Sequence, residues 1–309
     1  KPEEFAQRVR EVGGFSLENV PRAPRLETPQ LPTLVPMFFH GSRRVTPFSG
    51  PAVCLPLYSV IRRQNGRGLY ESPAALASKF AITPGAAIIL SGTDTDPPLE
   101  RWWSLGVERR EAIRALRGLG IALVTTPNYS LFTDQPRWDD LHSMKRIALV
   151  HEEFVNEGVS AALHLNARTE RDWTRWATYI AAREEVTHVA FEFATGAGWA
   201  GRDTWHADQL ARLAMTVGRP LHLVVRGGTN VLPTLVAAFA NITVLETSTF
   251  IKSMKRQCAS LAESSAVNWR PSPTAPGAPV DRLLLDNWSV VTEAFAPILS
   301  RPTRLTLGR

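Results

Sequence analysis

Short apolar runs alternate with amphipathic stretches along most of this chain. The runs at 34–39, 53–58, 86–91, 121–126, 160–165, 188–193, 221–225 and 242–246 predict eight strands. Between them lie helical patterns. Trp173, Trp176, Ala177 and Ile180 fall at i, i+3, i+4, i+7, and so do Leu210, Leu213, Ala214 and Val217. Helix 109–118 presents Ala112, Ile113 and Leu116, with Gly118 or Gly120 ending it. Pro136 and the pair Asp139–Asp140 open a long helix over 137–157, and Gly158 closes it. Strands separated by helices are the pattern of an α/β protein with a parallel sheet.

Eight such strands predict a (β/α)8 TIM-type barrel, irregular in its first half. The first two strands have too little between them for a helix, and the crossover at 72–80 is short. An open doubly wound parallel sheet is the alternative. Ahead of the barrel, residues 1–34 read as a helix over 2–12, with Phe5, Val9 and Val12 on one face, and a proline-rich arm. The barrel domain spans 35–263. Residues 264–280 are rich in Ser, Pro and Ala and read as a linker. Residues 281–309 read as a C-terminal helix, placed at the barrel bottom, and a tail.

Side chains alternate between the two faces of a strand, so the large apolar residues fix which face meets the helices. Leu163 and Leu165 leave Ala162, His164 and Asn166 inside. Val189, Phe191 and Phe193 leave His188, Ala190 and Glu192 inside. Leu221, Leu223 and Val225 leave His222, Val224 and Arg226 inside. Asn128, Asn166, Glu192, Arg226 and Glu246 therefore end successive strands as polar residues at the C-terminal mouth. Barrel active sites are built at that face.

Glu192 and Glu246 form a candidate acid/base pair around a glycosidic or N-glycosidic bond. His164 and Asn166 would orient the carboxylate. The structural alternative pairs Glu192 with Arg226 as an ion pair. His188 and His222, at the strand starts, read as core histidines. No cofactor is indicated. A divalent metal on the two glutamates and His164 is a possible cofactor, without a tight ligand motif behind it. The turn Arg226-Gly227-Gly228 before a helix is a candidate phosphate grip, and an ordinary βα loop is the alternative. In the run from Thr93 to Trp103, Asp96 opens a helix at Pro97, and Trp103 with Trp102 offers a stacking surface for a base or sugar.

The chain has 309 residues, 35 basic against 29 acidic, a formal net charge of +6 and a pI near 9.7. Thirty of the basic residues are arginine and five are lysine. That balance favours an anionic partner: a nucleotide or nucleic acid, with a protein partner in a larger complex also open. Arg43–Arg44 and Arg62–Arg63 are candidate backbone-tracking pairs. Cys54 and Cys258, the two cysteines, exclude a cysteine zinc knuckle, an iron–sulfur cluster and a disulfide framework. No apolar run reaches the roughly 18 residues needed to span a bilayer. No leader pattern is read near Lys1, and a cytoplasmic setting without membrane contact is the expectation.

Leu55-Pro56-Leu57-Tyr58, the Asp96 to Trp103 run, Thr126-Pro127-Asn128-Tyr129-Ser130 and the stretch from Leu163 to Gly196 resemble an uncharacterised domain family of bacteria, phages and mobile elements. The resemblance covers roughly residues 50–255. It implies a mobile-element setting and a nucleotide or nucleic-acid partner, and it transfers no catalytic residue. The family's strand-end motif is Pro-Asp-aromatic-Ser, whereas this chain has Asn128 at the acidic position.

Two functions compete on these grounds. One is a barrel enzyme acting on a phosphorylated substrate, probed first as a hydrolase or glycosyl transferase. The other is a non-catalytic module that binds DNA, RNA or a protein.

Overall fold

A computed structural model describes residues 2–27, 30–62, 65–132, 134–194, 201–263 and 266–300. Arg63, the end of the Leu163–Gly196 stretch, the first two residues of the 264–280 stretch and the tail 301–309 lie outside them.

Eight parallel strands form a nearly closed barrel surrounded by helices. In chain order they are β1 (Leu34–Pro36), β2 (Ala52–Pro56), β3 (Ala87–Ser91), β4 (Leu123–Thr125), β5 (Ala161–His164), β6 (His188–Glu192), β7 (His222–Arg226) and β8 (Asn241–Glu246). Each strand from β2 to β8 pairs with the next, and β8 returns to β1 with Val35 opposite Leu245. The remaining seam is closed by a parallel bridge between Met37 and Cys54, with Phe38 N donating to Cys54 O at 2.8 Å.

Two nested cores explain why the strands read as near-continuous apolar runs. Inside the barrel lie small and branched residues: Val35, Cys54, Ala162, Ala190, Val224 and Leu245 among them. Between barrel and helices lie Leu163, Val189, Phe191, Leu223 and Val225. Parity on β5, β6 and β7 matches the sequence expectation on all three strands.

The helical layer comprises α2 (Pro73–Lys79), α3 (Asp96–Ser104), α4 (Arg109–Gly118), α5 (Arg137–Asn156), α6 (Glu170–Ala181), α7 (Arg202–Val217), α8 (Leu232–Ala238) and α9 (Ser248–Met254), after α1 (Pro2–Val12) on the N-terminal arm. The first half is irregular, as expected: no helix joins β1 to β2, and α2 has seven residues. Local chemistry sets the helix starts. Thr169 and Asp172 form a reciprocal capping box at α6, and the Ser72 hydroxyl accepts from Ala75 N at 3.1 Å at α2.

The arm runs along α5 and α6 and then passes beneath the barrel. Phe5 packs on Trp138. Arg175 donates to Phe15 O, Arg183 to Val20 O and Pro21 O, and buried Lys145 to Ser16 O. At the bottom, His188 and His222 stack with centroids 4.6 Å apart. His222 hydrogen-bonds Thr243, whose hydroxyl donates to Pro32 O. His188 is a core residue, as the sequence indicated, and His222 is partly buried beside it.

The C-terminal elements depart from expectation. Within the stretch read as a linker, Val267–Pro271 forms a strand, β10, antiparallel to β9 (Gln257–Leu261). The final helix, α10 (Asp281–Leu299), does not close the barrel bottom. The Asp281 carboxylate accepts from Val45 N and Thr46 N after β1. The helix lies beside the residues that follow β7 and β8, at the mouth. Among the described residues, no helix is long and apolar enough to cross a membrane.

Candidate active site

Glu192 and Arg226 are direct register partners at the C-terminal ends of β6 and β7, and their side chains form an ion pair inside the mouth. Glu192 also accepts from Ala194 N at 2.9 Å. Burial raises its carboxyl above the ordinary range, and the Arg226 charge opposes that rise. The structural pairing weighed from the sequence is therefore present. It does not consume the glutamate, whose side chain also faces a cavity.

That cavity, about 200 Å³, lies beyond the ends of β4, β5 and β6. Asn128, His164, Asn166 and Glu192 line it, together with Arg168, Arg202 and His206. Asn166 Nδ2 donates to Asn128 Oδ1 and to Tyr129 O, both at 3.0 Å, which fixes the two amides against each other. His164 is almost fully buried. Burial and the nearby Arg226 charge hold its pKa down to about 3, so the ring is neutral and does not serve as a proton shuttle near pH 7. Its Nδ1 is buried with no protein partner.

Arg168 and Arg202 bring positive charge to the same walls. Arg168 Nε donates to Leu131 O at 2.6 Å, and Arg202 Nε donates to His206 Nε2 at 3.2 Å. Burial and then the charge of Arg202 lower the Arg168 pKa, so the two guanidiniums feel each other. Burial and both arginines hold His206 down to about 4, and its Nδ1 is likewise buried and unpartnered. Two arginines and two buried, unpaired ring nitrogens around one small cavity suit an anion with several acceptor oxygens.

Arg168, Arg202 and His206 escape a reading limited to strand ends. Arg168 stands two residues past Asn166, and Arg202 opens the next helix. Arg168 lies within one turn of the end of β5, whereas Arg202 stands ten residues past the end of β6.

Several expected site residues belong elsewhere. Glu246 has the parity of Ile242 and Val244, which face the helices, because the interior residues of β8 are Thr243 and Leu245. Its carboxylate turns outward and caps α9, accepting from Ser248 N at 2.6 Å and Thr249 N at 3.0 Å. It does not line the polar cavity, so the acid/base pair with Glu192 and the metal set with His164 are not assembled. Among the described residues, no cluster of three or more His, Cys, Asp or Glu is placed to hold a metal ion.

Gly227 and Gly228 have a packing role. Both have positive φ, and a Cβ would stand 2.9 Å from Ala194 N at the first and 2.6 Å from the Phe193 ring at the second. The helix after this turn has seven residues.

Trp103 is not a free stacking surface. Its indole donates to Glu11, Arg109 lies 4.5 Å over its ring, and Arg146 adds a second cation at 5.6 Å. Trp102 is buried and stacked on Phe154. Asp96 starts α3, as expected, and accepts from the Ser130 hydroxyl.

The fold and this cavity define an α/β barrel with a polar, arginine-flanked site at its C-terminal mouth. No family model and no curated protein matches the chain.

Proposed function

We propose that this barrel is an enzyme that cleaves an N-glycosidic bond in a phosphorylated substrate of the nucleotide class. The observation that carries this reading is Glu192: a buried carboxyl, raised by desolvation, that faces a cavity flanked by Arg168 and Arg202. Glu192 is the single carboxylate lining that cavity among the described residues. Departure of a base from a sugar needs one proton donor, because the sugar carbon reaches an oxocarbenium-like state as the bond breaks. The phosphate would lie against Arg168 and Arg202, and Asn128 and Asn166 would orient the sugar hydroxyls.

In this scheme the Glu192 carboxylic acid gives its proton to the leaving ring nitrogen as the electrons of the carbon–nitrogen bond pass to the base. Water then adds to the sugar carbon and returns a proton to Glu192. The products are free base and sugar phosphate. The resemblance to the phage and mobile-element family adds weight to nucleotides.

The rival reading, a nucleic-acid-binding module, needs free arginines along 43–67 and 101–117. Arg44 is taken up by Phe80 O and Ala81 O, and Arg109 by Glu153 and the Trp103 ring, whereas Arg43, Arg62, Arg67, Arg101 and Arg110 are exposed, so a titration with an oligonucleotide decides between the readings.

The test is incubation of the protein with a panel of nucleoside monophosphates and chromatographic detection of free base. Release that falls at least 100-fold in Glu192→Gln, with KM raised in Arg202→Ala, is the expected result. Release unchanged in Glu192→Gln, or no release from any member, overturns the reading.

A further inference from the structure

A second cavity lies at the same mouth, on the other side of the Glu192–Arg226 pair. It measures about 510 Å³, within the range of small-molecule sites. The ends of β7 and β8 form its floor, the hairpin one wall and α10 the other. Its contacts are mainly apolar: Leu245 below, Val267 and Trp269 from the hairpin, Ala294 and Phe295 from α10; Glu246, whose carboxylate caps α9, also reaches its lining.

The register relates the two cavities. Glu192, in the polar one, is opposite Arg226, and Arg226 is opposite Leu245, in the apolar one. Adjacent strands are about 4.8 Å apart, so these two walls are separated by roughly 10 Å across the mouth. Gly227, the residue after Arg226, lines the apolar cavity directly. Glu192 lines the small cationic chamber, Gly227 and Leu245 line the larger apolar one, and Arg226 stands in register between them without lining either.

We infer that the apolar chamber is the base subsite, and that the substrate is a free mononucleotide with its phosphate in the polar chamber. The inference rests on the proposed function and names its substrate. A mononucleotide has the required order of parts: phosphate, sugar, base. With its ends in the two chambers, the bond joining sugar to base crosses above the ends of β6 and β7, where the proton donor Glu192 stands. Trp269 and Phe295 offer flat apolar contact to a ring. Thr229, Thr247 and Ser248 place hydroxyl groups in the same lining, which a heteroaromatic edge would satisfy and an alkyl chain would leave unpaired. Chambers of about 200 and 510 Å³ hold one nucleotide.

The experiment is calorimetric titration of the full chain with ribose 5-phosphate, with formycin 5′-monophosphate and with a short single-stranded oligonucleotide. Formycin carries a carbon–carbon link to its base, so it is not consumed. Formycin 5′-monophosphate should bind at least tenfold more tightly than ribose 5-phosphate. Ala294→Phe, which fills the chamber, and Trp269→Ala, which removes a wall at a half-exposed position, should each erase that advantage. Binding of ribose 5-phosphate should stay within twofold, and thermal unfolding confirms that each variant is folded.

If both folded variants keep the full preference for the base-bearing ligand, the inference is overturned while the catalytic reading stands. Tighter binding of the oligonucleotide than of the mononucleotide also overturns it. If ribose 5-phosphate does not bind and Arg202→Ala changes nothing, the phosphate site itself fails, and the base subsite fails with it.

Discussion

Arg226 stands beside Glu192 on the neighbouring strand and holds down a carboxyl that burial pushes up. Arg226 thereby tunes the proposed proton donor. Replacing Arg226 by Gln removes the opposing charge and leaves the burial, so the Glu192 pKa rises further. A proton donor is active below its pKa. The alkaline limb of kcat/KM is therefore expected to move to higher pH in Arg226→Gln. A folded carboxyl raised above its unfolded value adds stability that is present at low pH and lost as pH rises through the folded pKa. The variant should accordingly lose more stability at pH 8 than at pH 5. A pH–rate profile and urea unfolding at the two pH values check both signs; an unmoved alkaline limb would separate Glu192 from the proton transfer.

Gly227 and Gly228 hold the turn after β7 in a conformation that a side chain would strain. Gly227→Ala sets a methyl against the backbone nitrogen of Ala194, which no side-chain rotation relieves, at a φ of 76°. Gly228→Ala meets the Phe193 ring at a φ of 67°. Each substitution is expected to cost about 1–3 kcal/mol. Thermal unfolding measures it, and a variant as stable as the parent would show that the loop relaxes freely.

The eight strands were legible because a barrel strand is buried on both faces and its sequence is apolar throughout. The interior of β5, β6 and β7 was legible because bulky residues alternate there with small or polar ones. β8 failed at Val244–Leu245, where two apolar residues in succession break the alternation and let Glu246 be assigned to the wrong face. Buried Thr243, held by Pro32 O, carries the correct parity but resembles a surface residue in sequence. The hairpin was missed because Gln257–Leu261 and Val267–Pro271 are only partly buried, which removes the apolar signal. Trp103 was misplaced because the residues that cover it, Glu11, Arg109 and Arg146, come from three separate helices.

Glu246 is predicted to act through α9. Its carboxylate satisfies two amide donors of that helix, so Glu246→Ala should destabilise the protein by about 0.5–2 kcal/mol, the range for loss of an N-terminal cap. Glu246→Gln keeps one acceptor oxygen and should recover part of that loss. The fall in kcat should be far smaller in either variant than in Glu192→Gln. A kcat for Glu246→Gln as low as that of Glu192→Gln would restore the two-carboxylate mechanism.

The histidines give the fold a steep acid limit. Burial is the largest cause of a lowered pKa at all seven, His40 included, and six shift far: His142, His151, His188 and His206 to about 4, and His164 and His222 to about 3. In the unfolded chain they titrate near the ordinary value of about 6.5. Between that pH and about 4 the unfolded state binds more protons than the folded state, so stability rises with pH across the window and is lost as pH falls. Above pH 7 all six are neutral in both states and contribute no slope. The urea midpoint should thus be flat in their contribution from pH 7 to 8 and drop sharply from pH 6 to 4. His222 and His188 stack at the barrel bottom, so a proton on one ring opposes a proton on the other. His188→Gln therefore should reduce the acid slope, even though it removes packing and lowers the midpoint at pH 7. A parent protein whose urea midpoint at pH 4 equals that at pH 7 would mean that these rings reach water and titrate normally.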